Sequence, residues 1–334
     1  MKLHPSRATI LFTSLAVVTM TSIGMSTFAL FMPPIQMEFG WARSMATLPY
    51  TVAMIGWAVG AVLFGKLADD FGARRVVLGG IVLMAAGFAG MGLSQNVWQL
   101  MLSYGVMVGL AMGACGLAIM SLLVSKHFEA ADRGFAVSVI QTAPPFSALL
   151  FPPLVYTLMH RHDWRMAALS AAALLACLAL PLAWLGARDP HHAAGAHQGG
   201  ARARWADCLP HLRDRRMMIL FAARIACGVA FVQIAHLVAL PLAKGFSVAA
   251  GATAVSVFGG AAIVSALAFG WLSDRYGRAR MLGLSYLVRG AGTLLLAMNF
   301  SSEIAYYTAV ALAVGPTFGT VAIQNVMFYE MVGP

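Results

Sequence analysis

Long apolar runs separated by short polar clusters set the pattern of this chain. Ten runs stand out, at 9–32, 45–66, 76–94, 97–124, 135–158, 166–186, 217–242, 248–272, 281–298 and 304–328. Most are close to the roughly 20 residues that cross a bilayer as a helix, and within such a run only a helix satisfies every backbone N–H and C=O internally. The strands of a membrane barrel would instead alternate apolar and polar positions. The pattern predicts an all-α, multi-pass membrane protein. Lys2 and Arg7 before the first run give it the outline of a signal peptide, but the run is long and lacks a small-residue cleavage site. It is read as a span that stays.

The polar clusters carry a repeat. Gly65-Lys66-Leu67-Ala68-Asp69-Asp70-Phe71-Gly72-Ala73-Arg74-Arg75 separates the second and third runs, and Gly270-Trp271-Leu272-Ser273-Asp274-Arg275-Tyr276-Gly277-Arg278-Ala279-Arg280 stands 205 residues further on. The copies share Gly65/Gly270, Leu67/Leu272, Asp69/Asp274, Gly72/Gly277 and Arg75/Arg280. Gly109-x-x-x-Gly113 in the fourth run and Gly315-Pro316-x-x-Gly319 in the tenth repeat at an offset of 206, a spacing that lets helix backbones approach, with Pro316 expected to kink its helix. Two halves are built on one plan. The longest polar stretch, 187–216, is rich in Ala, Gly, His and Arg and reads as a tether, with a short amphipathic segment at 205–212 suited to the membrane surface. The expected organisation is a six-helix bundle over 1–186, a linker over 187–216 and a second bundle over 217–334 with four spans.

Composition agrees: 60% hydrophobic and 10% charged residues, with a mean hydropathy of +0.79, is more apolar surface than a soluble domain this size buries. The net charge of +10 raises nucleic acid as a partner, so the position of the basic residues matters. Sixteen Lys and Arg fall in the N-terminal segment, the loops that hold the two repeat clusters, the loop between the fourth and fifth runs, and the linker; only Arg43, Arg161, Arg165 and Lys244 fall in the alternate loops. The positive-inside rule makes the first set cytoplasmic, with both termini on that side of the cell inner membrane. The charge therefore reports orientation, and no nucleic-acid role is expected. The four cysteines show no paired spacing, so no disulfide is expected, and His191, His192 and His197 lack supporting ligands for a metal. No in-span cluster of nucleophile, base and acid points to an enzyme.

Apart from Lys66 at the very end of the second run, only Arg224 and Arg289 are charged within the spans, at roughly 12 to 14 Å of helix from the cytoplasmic end. An intramembrane charge is costly, and no in-span Asp or Glu neutralises these two. Backbone carbonyls, snorkelling or an anionic substrate remain as partners. Gln233 and His236 share a face of the seventh span, with Arg224 on another side of that helix. His236 suits either proton coupling or a packed hydrogen bond. Tyr104, Gln141, Gln324 and Asn325 complete the polar candidates for substrate binding.

Two units joined by a basic loop, each with a Gly-x-Leu-x-Asp-x-x-Gly-x-x-Arg cluster between its second and third spans, resemble the major facilitator superfamily of secondary transporters. Glu38-Phe39-Gly40-Trp41-Ala42-Arg43-Ser44, Trp164-Arg165 and His236-Leu237 resemble its bacterial monocarboxylate transporter and oxalate/formate antiporter branch. The resemblance implies two pseudo-symmetric bundles of six spans, of which this sequence carries six and four. It implies alternating access, a small-molecule cargo, no cofactor and no metal, and a monomer in the bilayer. It also makes Asp69 and Asp274 latch acids of a cytoplasmic gate built from Gly65, Gly72, Arg75, Gly270, Arg275, Gly277, Arg278 and Arg280, with Arg133 as the partner of Asp274. The first copy departs from the pattern at Asp70 and Ala73. The acid and basic residues embedded in the spans of the carboxylate branch have no counterparts here, and span four lacks the arginine of many proton-coupled antiporters. A small organic anion such as a mono- or dicarboxylate is the expected cargo. The alternatives are export of an apolar drug-like compound and, from another class, a non-transporting sensor or an inactive truncated protein.

Overall fold

The structure is a computed structural model that describes residues 5–125, 127, 128, 136, 139–186, 214–298 and 302–332. The chain divides into two compact units, Met1–Pro190 and His191–Pro334. Residues 187–213 of the linker, with its amphipathic segment and its histidines, and Arg133 lie outside the described residues; Asp214, Arg215 and Arg216 form the cap and first turn of the next helix.

In the first unit the helices are α1 (Pro5–Thr21), α2 (Ile23–Phe39), α3 (Arg43–Phe71), α4 (Ala73–Leu93), α5 (Val97–Leu100), α6 (Gly109–Ala114), α7 (Leu117–Ser125), α8 (Ala143–Arg161), α9 (Trp164–Leu174) and α10 (Leu180–Gly186). In the second unit they are α11 (Arg215–His236), α12 (Ala239–Ala243), α13 (Val248–Tyr276), α14 (Arg278–Ala297), α15 (Glu303–Ala313) and α16 (Thr317–Val332). Among the described residues, eight helical stretches can cross a membrane by length and composition. The fifth and ninth expected spans are helical as well, but α8 holds two proline pairs and α14 holds three arginines, which lowers their apolar character.

Several expected spans are broken rather than continuous. The first breaks at Ser22, where Thr21 and Ser22 turn their hydroxyls back onto the Val17 and Val18 carbonyls. The fourth winds as a π-helix over Met101–Val108, and Leu175–Ala179 in the sixth does the same. The tenth breaks between Ala313 and Thr317, where Pro316 brings no N–H to the ladder. Helix starts are fixed by polar caps: Asn96, Asp163, Asp214, Ser247 and Ser302 each accept from a backbone N–H in the first turn.

Small residues bring the second and fourth helices of each repeat together. A side chain at Gly113 would collide with the Gly60 backbone, and one at Gly319 would stand 2.7 Å from the Ser265 carbonyl oxygen, the position equivalent to Gly60. The middle of the first unit is aromatic: Phe28 stacks on Tyr104 (4.2 Å) and Tyr50 (5.5 Å), and Phe88 meets Tyr104 edge-on.

Candidate functional site

The two repeated clusters are not loops. Helix continues through the acids to Phe71 and to Tyr276, one glycine interrupts it, and the next helix starts at once. Gly72 has φ 90°, ψ 141° and Gly277 has φ 92°, ψ 135°, a region that only glycine enters without strain. Each donates its N–H four residues back, to Ala68 and Ser273. The glycine turn of the repeat thus has the same backbone angles to within a few degrees.

Its side chains diverge. In the second copy Arg278 stands 3.9 Å from Asp274, which is 77% exposed, and Arg275 lies over Trp271. In the first copy the basic group sits one position later: Arg74 donates to the Trp184 carbonyl at 2.9 Å and lies over its ring at 4.6 Å, tying α4 to α10. Asp69, Asp70, Arg75 and Arg280 are exposed, and Gly65 and Gly270 are half-buried.

At the opposite end of the first unit, two segments far apart in sequence meet. Glu38 accepts from Trp164 Nε1 at 2.5 Å and from Arg165 at 2.6 Å; Arg165 also donates to the Gly92 and Ser94 carbonyls at 3.1 and 2.6 Å. Its guanidinium lies over Trp164, and Phe39 stacks on Trp41. Cationic capping of the last carbonyls of α4 favours that helix end. Lys244 does the same for α14, donating to the Met298 carbonyl at 2.9 Å.

The middle of the second unit holds most of the polar candidates. Arg224, exposed on α11, donates to Gln324 Oε1 (3.3 Å) and reaches Asn325 Oδ1 (3.5 Å) on α16. Gln324 is fully buried and donates to the Tyr286 hydroxyl at 3.1 Å, and that hydroxyl donates to the Ala223 carbonyl. Tyr286 therefore turns the Gln324 carboxamide so that its oxygen faces Arg224. Below it Arg289 is 6% exposed, lies over the Tyr286 ring, and donates to the Cys227 sulfur and carbonyl, both at 3.4 Å. Its Nε is buried without a partner. Gln233 donates to Thr293 at 2.9 Å, and Thr293 to the Arg289 carbonyl at 2.8 Å. Among the described residues no carboxylate comes within ion-pair distance of Arg224 or Arg289.

Arg224, Gln324, Asn325 and Arg289 thus form one seam through α11, α14 and α16, with Gln233 at its margin. Arg224 and Gln233 contact different neighbouring helices, as their separation around α11 requires. His236 stands apart, with Nδ1 2.8 Å from the Val232 carbonyl of its own helix. In the first unit Tyr104 is fully buried, its hydroxyl on the Gly24 carbonyl at 2.6 Å, and Gln141 is half-buried before α8. Sequence reasoning missed Tyr286, Thr293 and Cys227. Tyr286 and Thr293 lie one helical turn either side of Arg289, and Cys227 one turn from Arg224, so helical spacing around the two arginines was the available signal.

A family model described as Major Facilitator Superfamily matches residues 14–334. The uncharacterized MFS-type transporter YcxA of Bacillus subtilis is 27% identical over 283 residues, covering 84% of this chain and 68% of the relative. A gallate transporter of Pseudomonas putida is 25% identical over 297 residues, covering 77% of this chain and 64% of the relative. Among solved structures, a bacterial homolog of the human lysosomal transporter Spinster superposes with a TM-score of 0.71 at 15% identity, over 100% of this chain and 77% of that one.

Proposed function

The chain belongs to the major facilitator superfamily, and on that premise we propose that it is a secondary active transporter working by alternating access on a small organic anion. The observation that carries the anion is Arg224: an exposed guanidinium inside a span, steadied by two carboxamide oxygens, with no carboxylate in reach among the described residues. Amide oxygens orient the group without cancelling its charge, so its remaining donors are set for a carboxylate. Arg289 adds a second positive charge behind Tyr286, and a buried charge without a counterion favours an incoming anion.

Asp274 is the working latch acid in this reading. Its ion pair with Arg278 is long and its carboxylate mostly exposed, which leaves it free to accept from a helix start elsewhere, whereas the first copy has its arginine bound to Trp184. The basic side that carries both glycine turns is assigned to the cytoplasm.

The test is counterflow in proteoliposomes with a panel of labelled mono- and dicarboxylates, comparing wild type with Arg224→Ala and Arg289→Ala. Losing a charged hydrogen-bond partner is worth about 1.5–3 kcal/mol, so Arg224→Ala is expected to weaken carboxylate affinity roughly 10- to 100-fold. Flux indifferent to both changes would sink the anion site. Flux of a neutral apolar dye without any carboxylate flux would replace it with drug export.

A further inference from the structure

We propose that the anion taken at Arg224 carries an apolar body of single-ring size, so that the substrate class is an aromatic monocarboxylate; this rests on the reading of Arg224 as the carboxylate's partner. Helices α11 and α16 run antiparallel here: three residues back on α11, from Arg224 to Phe221, correspond to three forward on α16, from Asn325 to Phe328. Phe221 and Phe328 meet with ring centroids 5.2 Å apart. A helical side chain leans toward its helix N-terminus, so the Arg224 guanidinium leans over the turn that carries Phe221. Three residues rise only about 4.5 Å, so the aromatic pair stands one helical turn from Arg224.

The pair is open to a ligand. Phe221 is 39% exposed, and Phe328 and Asn325 are half-buried. Beneath it lies an apolar floor of Leu220, Leu282 and Ile323, with Met327 packed against it. A ring laid there gains aromatic and thioether contacts while its carboxylate reaches Arg224 and the Asn325 amide. Acetate would engage the guanidinium and leave Phe221 and Phe328 uncovered. A dicarboxylate would set its second charge against phenylalanine and methionine, because the other guanidinium of the seam, Arg289, is buried on Cys227.

The experiment is labelled benzoate counterflow by the whole protein in proteoliposomes, with unlabelled benzoate, acetate and succinate as competitors, in wild type, Phe221→Ala, Phe328→Ala, Phe328→Leu and Arg224→Gln. Benzoate should compete at least about tenfold better than acetate or succinate, the scale expected for burying a ring's apolar surface. Each phenylalanine change should bring benzoate to within about threefold of acetate while leaving acetate itself unmoved. Phe328→Leu keeps most of the packing volume and removes only the ring, so it decides the matter where an alanine variant does not fold. Equal competition by the three acids in wild type, or phenylalanine changes that weaken all three alike, overturns the ring assignment while an effect of Arg224→Gln keeps the anion site. A protein that exchanges acetate or succinate but no benzoate overturns the ring assignment alone, and an Arg224→Gln variant that behaves as wild type overturns both.

Discussion

The third helix of each repeat leaves the same glycine turn and then buries opposite chemistry. Twelve residues after Gly72 stands Met84, fully buried, and twelve after Gly277 stands Arg289, 6% exposed. One turn on from Met84, Phe88 meets Tyr104 in the aromatic middle of the first unit, whose charged contacts stand at its two ends, at Glu38–Arg165 and at Arg74–Trp184. The second unit carries its polar contacts through the middle, from Arg224 across Tyr286 to Arg289. The two units share the glycine turn and differ in what the following helix buries. On the proposed reading, the unit with the two guanidiniums is the one that holds the anion.

Exchanging the two side chains is the strongest way to break this contrast. Met84→Arg puts a charge among aromatic groups with nothing to pair it, and should cost about 3–5 kcal/mol, seen as loss of folded protein in thermal denaturation of the purified chain. Arg289→Met, the reciprocal change, should leave thermal stability level or raised by about 1–4 kcal/mol while reducing anion transport. If Arg289→Met is as destabilising as Met84→Arg, the arginine is structural and the contrast fails.

Next in size are the turns. Gly72→Ala and Gly277→Ala should each cost about 1–3 kcal/mol, because both need a backbone region that alanine enters only with strain. Their near-identical angles predict near-identical losses, and a large inequality would mean that the two turns are not equivalent.

Tyr286→Phe keeps the ring under Arg289 but removes the hydroxyl that aligns Gln324. Losing about 1 kcal/mol of hydrogen bonding there should raise the KM for a carboxylate about fivefold with little change in turnover. A fall in turnover at constant KM would assign Tyr286 to the conformational step instead. The smallest effect is expected at Glu38→Gln: its ion pair with Arg165 is partly exposed on both sides, which limits it to about 0.2–1 kcal/mol in a melting experiment.

What could be read from the sequence follows the physics of each feature. The spans and the repeat were legible because apolar length and glycine spacing are strong, local signals. Gly72 and Gly277 could be assigned to their turns because few other residues suit a helix–helix corner, although the helical character of the flanking acids was not visible. The seam was half legible. Arg224 and Arg289 stood out as charges in apolar runs, but Tyr286 and Thr293 look like ordinary members of such runs until a neighbouring helix supplies their partners. Breaks at Ser22 and the π-helical stretch through Tyr104 depend on packing between helices, which no local pattern encodes. The outer cluster was legible only as short motifs; that Glu38 and Arg165 close on each other needed the fold.

The central claim is that Arg224 receives the anion's charge, and the most direct measurement is the KM for labelled benzoate counterflow in Arg224→Gln against wild type, with both shown to be folded. Glutamine keeps a polar group beside Gln324 and Asn325 and removes only the charge. The account predicts a KM raised roughly tenfold or more. A KM equal to wild type would contradict it.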